Sequence, residues 1–199
     1  MSQEANYRSL HIADNPQLYT PARSNNFEFI ITGIDSLLKA GVDFDQATDD
    51  DYITNAQDVL RFSVTECPIP NYELNTVEVK TGNLTTKFAG NATFSSGTLK
   101  FNDFIGAKTK DALYALQARA VNIANGGGVA PKEEYAFGGQ LIEYNTDFSQ
   151  ILRKWELKGC WVKSISESPF QYENDDKRQV DVVIEYDRAI PKPVAITTE

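Results

Sequence analysis

The chain has one histidine, two cysteines, one methionine and two tryptophans among 199 residues. With His11 as the sole histidine, set in a stretch without periodicity, no Ser-His-Asp or Cys-His catalytic site is expected. Zinc sites draw on His and Cys, and the three such residues here are widely scattered, so no metal and no cofactor is expected. Cys67 and Cys160 form no metal pattern and no disulfide framework. They read as two half-buried thiols, with a Cys67–Cys160 bridge as the alternative. No apolar run reaches the roughly 18 residues that a membrane-spanning helix needs, so no membrane insertion is expected. The opening "MSQEANYRSLHIADNP" is polar and lacks the apolar segment of a secretory signal, an expectation of cytoplasmic synthesis. Basic residues are outnumbered: 19 Lys and Arg face 28 Asp and Glu, for a net charge of -9. Stable nucleic-acid binding needs Lys and Arg against phosphate, so that class is disfavoured.

What is present points to β structure. Hydrophobic residues make up 41% of the chain, with 9 Tyr and 11 Phe, a composition suited to a β-rich core. Residues 1–24 read as an arm broken by Pro16 and Pro21. "NNFEFIITGI" is a strand with Phe27, Phe29 and Ile31 on one face. Residues 35–58 form a long acidic loop with at most a short helix at 36–40, read either as a solvated insertion or as a contact segment. Its Asp49, Asp50 and Asp51 lack the alternating spacing and glycine of a calcium loop. "VLRFSVTECPIP" alternates Leu60, Phe62 and Val64 with Arg61, Ser63 and Thr65, a strand stopped by Pro68 and Pro70.

"NTVEVKT" is another alternating strand, and "KFAGNATFSSGTLKFNDF" a turn-containing connection followed by a strand at 98–104. "GAKTKDALYALQARAVNIANGGG" carries Leu113, Leu116, Ala120 and Ile123 at helical spacing, ended by Gly126, Gly127 and Gly128. "YAFGGQLIEYN" is a further strand, and "SQILRKWELKGCWVKSIS" one long or two short ones, with both tryptophans assigned to the core. The last strand, 179–187, sets Val180, Val182, Ile184 and Tyr186 against Asp181, Val183, Glu185 and Asp187. Residues 191–199 are a proline-broken tail. Seven or eight strands and one helix, without regular βα alternation, predict a mainly β fold. It is an antiparallel β-sandwich or barrel of two packed sheets with one flanking α-helix, an extended N-terminal arm and a long loop.

The ordered set "NNFEFIITGI", "VTECPIP", "NTVEVKTGNLTTKFAG", "TLKFNDF", "KTKDALYALQ", "WELKGCWVKSIS", "YENDD" and "VDVVIEYDRA" resembles the tail tube proteins of contractile-tailed bacteriophages over residues 25–190. The marks are a proline corner at Cys67 to Pro70, the Val-rich Thr76 to Lys80, Leu157 to Trp161, a turn at Tyr172 to Asp175, and Val180 to Asp187. The resemblance implies a non-enzymatic virion protein whose hexameric rings stack into a hollow tube inside a contractile sheath. It implies the sheath, baseplate and tail-terminator proteins as partners, with a tape measure protein in the lumen and genomic DNA passing through without specific binding. Type VI secretion tubes and bacteriocin-like contractile particles share that fold and give an alternative reading, as does a tail-end or baseplate protein. A carbohydrate-binding β-sandwich is the alternative outside the class.

On the tube reading, Glu78, Asp181 and Glu185 are candidate lumen residues, and an acidic wall would let DNA slide. A solvated outer sheet face explains the same acids. Asp43, Asp45, Asp49, Asp50 and Asp51 are candidates for contact between stacked rings.

Overall fold

A computed structural model of the chain describes residues 22–34, 37, 56–104, 109–121, 127–169 and 177–193. Most of the arm, nearly all of the acidic loop with Asp43, Asp45 and Asp49 to Asp51, all but Leu37 of the short helix expected at 36–40, Ile123, Gly126, the turn at Tyr172 to Asp175 and the end of the tail lie outside the described residues.

The described elements are β1 (Phe27–Thr32), α1 (Ala56–Ser63), β2 (Val64–Glu66), β3 (Tyr72–Thr81), β4 (Leu84–Phe94), β5 (Gly97–Asn102), α2 (Thr109–Ala120), α3 (Lys132–Tyr135), β6 (Phe137–Tyr144), β7 (Ile151–Glu167), β8 (Gln179–Glu185) and β9 (Arg188–Lys192). Seven strands form one antiparallel sheet in the order β1-β6-β7-β8-β5-β2, with β9 also paired to β7; β3 and β4 form a separate hairpin. The architecture is mainly β, as the sequence predicts.

The 17-residue β7 organises it. Its first half pairs with β6 and β9, and its second half with β8. Gly159, with φ 67, lies beside the point where the pairing partner changes, between Cys160 and Trp161. The inward faces of the two halves share one core: Phe29, Ile31, Leu141 and Leu157 from the first, Leu99, Phe101, Val180, Val182 and Ile184 from the second. Helix α2 closes it with Ala112, Leu113, Ala115 and Leu116. Each large apolar side chain buried this way contributes about 1.5–3 kcal/mol.

Four expectations are corrected. Residues 59–63 are not strand but the end of α1, and its opening residues 56–58 belong to no loop. Ala56, Leu60 and Ser63 recur at helical spacing and are buried together, leaving Leu60 at 0% exposure and Phe62 at 75%. The local alternation was real, but the wider window has a 3.6-residue period, and burial follows that. The connection before β5 holds an 11-residue strand, β4, whose apolar residues meet no core that would have set an alternation against it. The final strand ends at Glu185, and the segment read as the start of the tail forms β9, with Pro191 opposite Trp155 on an edge, where a missing N–H is tolerated. Among the described residues, α1 joins α2 as a second helix of eight residues or more.

Candidate functional site

The β3–β4 hairpin presents an exposed apolar surface. Residues 81–84 make its tight turn, with Gly82 at φ 63, a conformation that costs other residues a clash. Near its root the register shifts at Asn75, where Gly90 lets the strands approach; a Cβ there would lie 2.9 Å from the Asn75 carbonyl oxygen. Beyond that bulge the pairs Val77 with Phe88, Val79 with Thr86 and Thr81 with Leu84 put an apolar face on one side. Glu78, Lys80 and Lys87 fall on the other, with Glu78 and Lys87 3.4 Å apart. Val77, Val79, Leu84 and Phe88 are all exposed. At the root, Phe94 packs between Tyr72 and Tyr186, with ring centroids 5.7 and 6.0 Å away. A lone two-stranded ribbon is marginal in water, and a row of exposed apolar side chains on it marks a contact surface.

A second apolar surface lies where α1 meets β1. Phe27, Phe29, Phe62, Val64, Tyr144 and Phe148 line an open pocket of about 430 Å³. Glu28 sits at its rim, paired with Arg61 and accepting a 2.9 Å hydrogen bond from the Tyr144 hydroxyl.

The predicted lumen residues do not share one surface. Glu78 stands on the hairpin, while Asp181 and Glu185 share the outward face of β8. Each has a cationic neighbour: Lys87 for Glu78, Lys163 at 2.6 Å for Glu185, and Lys100 directly across the ladder from Asp181. Lys100 also pairs with Glu66 at 2.6 Å, so the outer face of β8 and β5 mixes both signs.

Glu167 ties α2 to the sheet. It accepts hydrogen bonds from Lys110 Nζ (2.6 Å), the Tyr114 hydroxyl (2.7 Å) and Arg178 (2.8 Å). The Lys110 and Tyr114 hydrogen bonds hold its carboxyl below the usual range.

Cys67 and Cys160 are both free thiols, so they form no bridge, and burial pushes each up to about 12. Thiols held that far from ionisation are poor nucleophiles and poor metal ligands. Cys160 is fully buried and Cys67 half-buried. Both tryptophans are half-buried: Trp155 packs against the core, and Trp161 lies edge-on to Tyr135 at 6.3 Å. Among the described residues no group of three or more His, Cys, Asp or Glu is placed to hold a metal, and no helix is long and apolar enough to cross a membrane.

No protein-family model matches the chain, and no curated protein matches it. Solved structures do. A chain of the PVC sheath–tube complex of an extracellular contractile injection system, in its extended state, superposes with a TM-score of 0.59 at 14% identity, covering 92% of this chain and 97% of that one. A chain of the PVC sheath/tube terminator gives 0.59 at 13% identity, over 88% and 99%. A chain of the anti-feeding prophage tube-terminating cap gives 0.57 at 14% identity, over 88% and 93%. The class defined by this architecture is therefore the fold found in contractile injection systems. The tail-tube resemblance read from the sequence and the fold agree.

Proposed function

We propose that this chain is a structural, ring-forming subunit of the tube of a contractile machine of the phage-tail kind. The observation that carries the reading is the extent of the shared fold, which spans 92% of this chain and 97% of a chain of the sheath–tube complex. The two apolar surfaces support it. The hairpin face and the α1–β1 pocket are different in shape and lie on different elements. Contact between unlike surfaces of identical copies is heterologous, and it generates a ring or a helical stack rather than a simple dimer.

In the finer reading the rings are hexameric, stack inside a sheath between a baseplate and a terminator, and enclose a tape measure protein. As part of a phage tail in the virion, such a tube passes DNA through its lumen. Asp181 and Glu185, on one strand face, are the proposed lumen residues. Glu78, on the charged side of the hairpin, reaches the lumen only if the hairpin's apolar side lies against a neighbouring copy. The acidic loop with Asp43, Asp45 and Asp49 to Asp51 is proposed for contact between stacked rings.

Similarity to terminator and cap chains, at the same level as to the sheath–tube complex, supports a second reading as the protein that ends the tube. Negative-stain microscopy of the purified protein over a concentration series separates the two. A tube subunit forms stacks that lengthen with concentration; a terminator stops at single rings. A protein that stays monomeric at every concentration and ionic strength refutes both. Particles isolated from the source, assayed for packaged DNA, distinguish a phage tail from an injection device.

A further inference from the structure

Across the described ladders, charged residues that face one another have opposite signs at four places: Lys100 with Asp181, Lys100 with Glu66, Glu78 with Lys87, and Glu143 with Arg153. The β7–β9 ladder does the reverse. Lys154 faces Lys192, and Lys158 faces Arg188, two like-charge pairs directly opposite one another on a single two-strand face. Like charges in that position destabilise a sheet.

Glu156 lies between the pairs and touches Lys158 at 3.5 Å and Lys192 at 3.1 Å. Lys154 and Arg188 have no ion pair among the described residues. Four cations thus surround one carboxylate, in a chain whose net charge is -9.

Lysines on an edge strand discourage strand-to-strand aggregation. That explains Arg188 and Lys192 on the edge strand β9, but it does not explain why β7, an interior strand, answers them with two more lysines. A local repulsion that a single carboxylate, Glu156, offsets only at Lys158 and Lys192 is the mark of a surface completed by something else.

We infer that the Lys154, Lys158, Arg188 and Lys192 face is an assembly surface that takes a carboxylate-rich surface of a second copy of this chain. The charge balance selects the partner. Outside this face the chain is more acidic than its net charge states, so a second copy brings the complementary sign. A polyphosphate of the same sign is repelled by the rest of the molecule. The contact joins a basic face to an acidic one, so it is again heterologous and suits a ring or a stack. This deepens the proposed function and rests on it.

The experiment is the Lys154→Glu, Arg188→Glu double variant of the full chain, compared with wild type by sedimentation and negative-stain microscopy across a salt series. Each substitution turns a like-charge pair into an opposite-charge pair, with Lys192 and Lys158 respectively. The isolated subunit should therefore melt at the same temperature or about 2 °C higher. Its assembly should nonetheless need at least about tenfold more protein, because the partner's acids now meet acids. Wild-type assembly should weaken as salt rises. Assembly of the double variant at the wild-type concentration, with a normal melting temperature, overturns this inference and leaves the tube reading standing. A wild type that never assembles overturns the tube reading and this inference with it. Salt-sensitive binding of a single-stranded DNA oligonucleotide by wild type, lost in the double variant with assembly unchanged, makes the face a phosphate site and overturns the choice of partner.

Discussion

The carboxylate of Asp187 occupies the space that a side chain at Gly159 would fill: a Cβ built there overlaps Asp187 Oδ2. The carboxylate is held in place by Lys132 Nζ at 2.5 and 2.6 Å, and the Asp187 backbone N–H donates to the Lys158 carbonyl at 3.0 Å. Gly159 also sits at φ 67, and it marks the point where β7 passes from its β6–β9 half to its β8 half. Gly159→Ala should therefore cost about 1–3 kcal/mol, from a left-handed backbone plus the overlap. Adding Asp187→Ala should return only part of the loss, since the φ penalty stays. Urea unfolding of the single and double variants checks this; a Gly159→Ala protein of wild-type stability would show that this point of β7 does not depend on glycine.

Leu60 and Phe62 should differ sharply in what they contribute. Strand alternation places them on one face, whereas α1 buries Leu60 fully and exposes Phe62. Leu60→Ala is expected to destabilise by about 2–5 kcal/mol. Phe62→Ala should change stability by no more than about 0.5 kcal/mol, as exposed substitutions do. Equal losses in thermal unfolding would restore the strand reading of this segment.

Stability should fall on acidification, in a direction that Glu167 sets. Its carboxyl is held below its ordinary value of 4.5 by hydrogen bonds from Lys110 and Tyr114. A depressed folded-state pKa contributes stability that is fully present above the unfolded value and is lost as pH falls through the folded one. Glu156, hydrogen-bonded by Lys192, and Asp147, hydrogen-bonded by Ser149, are shifted the same way and add to the trend. Urea midpoints measured from neutral pH down to about pH 3 should decline for wild type and decline less steeply for Glu167→Gln. Parallel curves would remove Glu167 from the explanation.

On the hairpin, Phe88→Ser and Leu84→Ser should leave the melting temperature of the subunit nearly unchanged, because both side chains are exposed in it. Ring or tube formation should weaken in both, since an apolar contact is lost only on assembly. Microscopy beside calorimetry tests the pair of statements together. Normal tubes from both variants would mean that the apolar face of β3 and β4 has no partner.

Periodicity was enough for three elements with one buried face. The alternation of Phe27, Phe29 and Ile31, the inward row Val180, Val182 and Ile184, and Leu113 with Leu116 in α2 could all be read directly, because a core on one side imposes the period. The ordered motifs also carried the resemblance to tube proteins, which the fold then matched. Two other segments mislead. Residues 59–63 alternate over a window too short to show the 3.6-residue period of α1, and β4 has exposed residues along almost its whole length, so no core writes a pattern into it. The candidate surfaces follow the same division. Lys154, Lys158, Arg188 and Lys192 are ordinary surface cations in the sequence; only the pairing of β7 with β9, set by long-range backbone hydrogen bonds, brings them face to face. Composition and spacing determined that this chain folds as a mainly antiparallel β protein. Tertiary structure alone decided which residues face one another across strands, because register depends on how distant segments meet and not on the residues beside them in the chain.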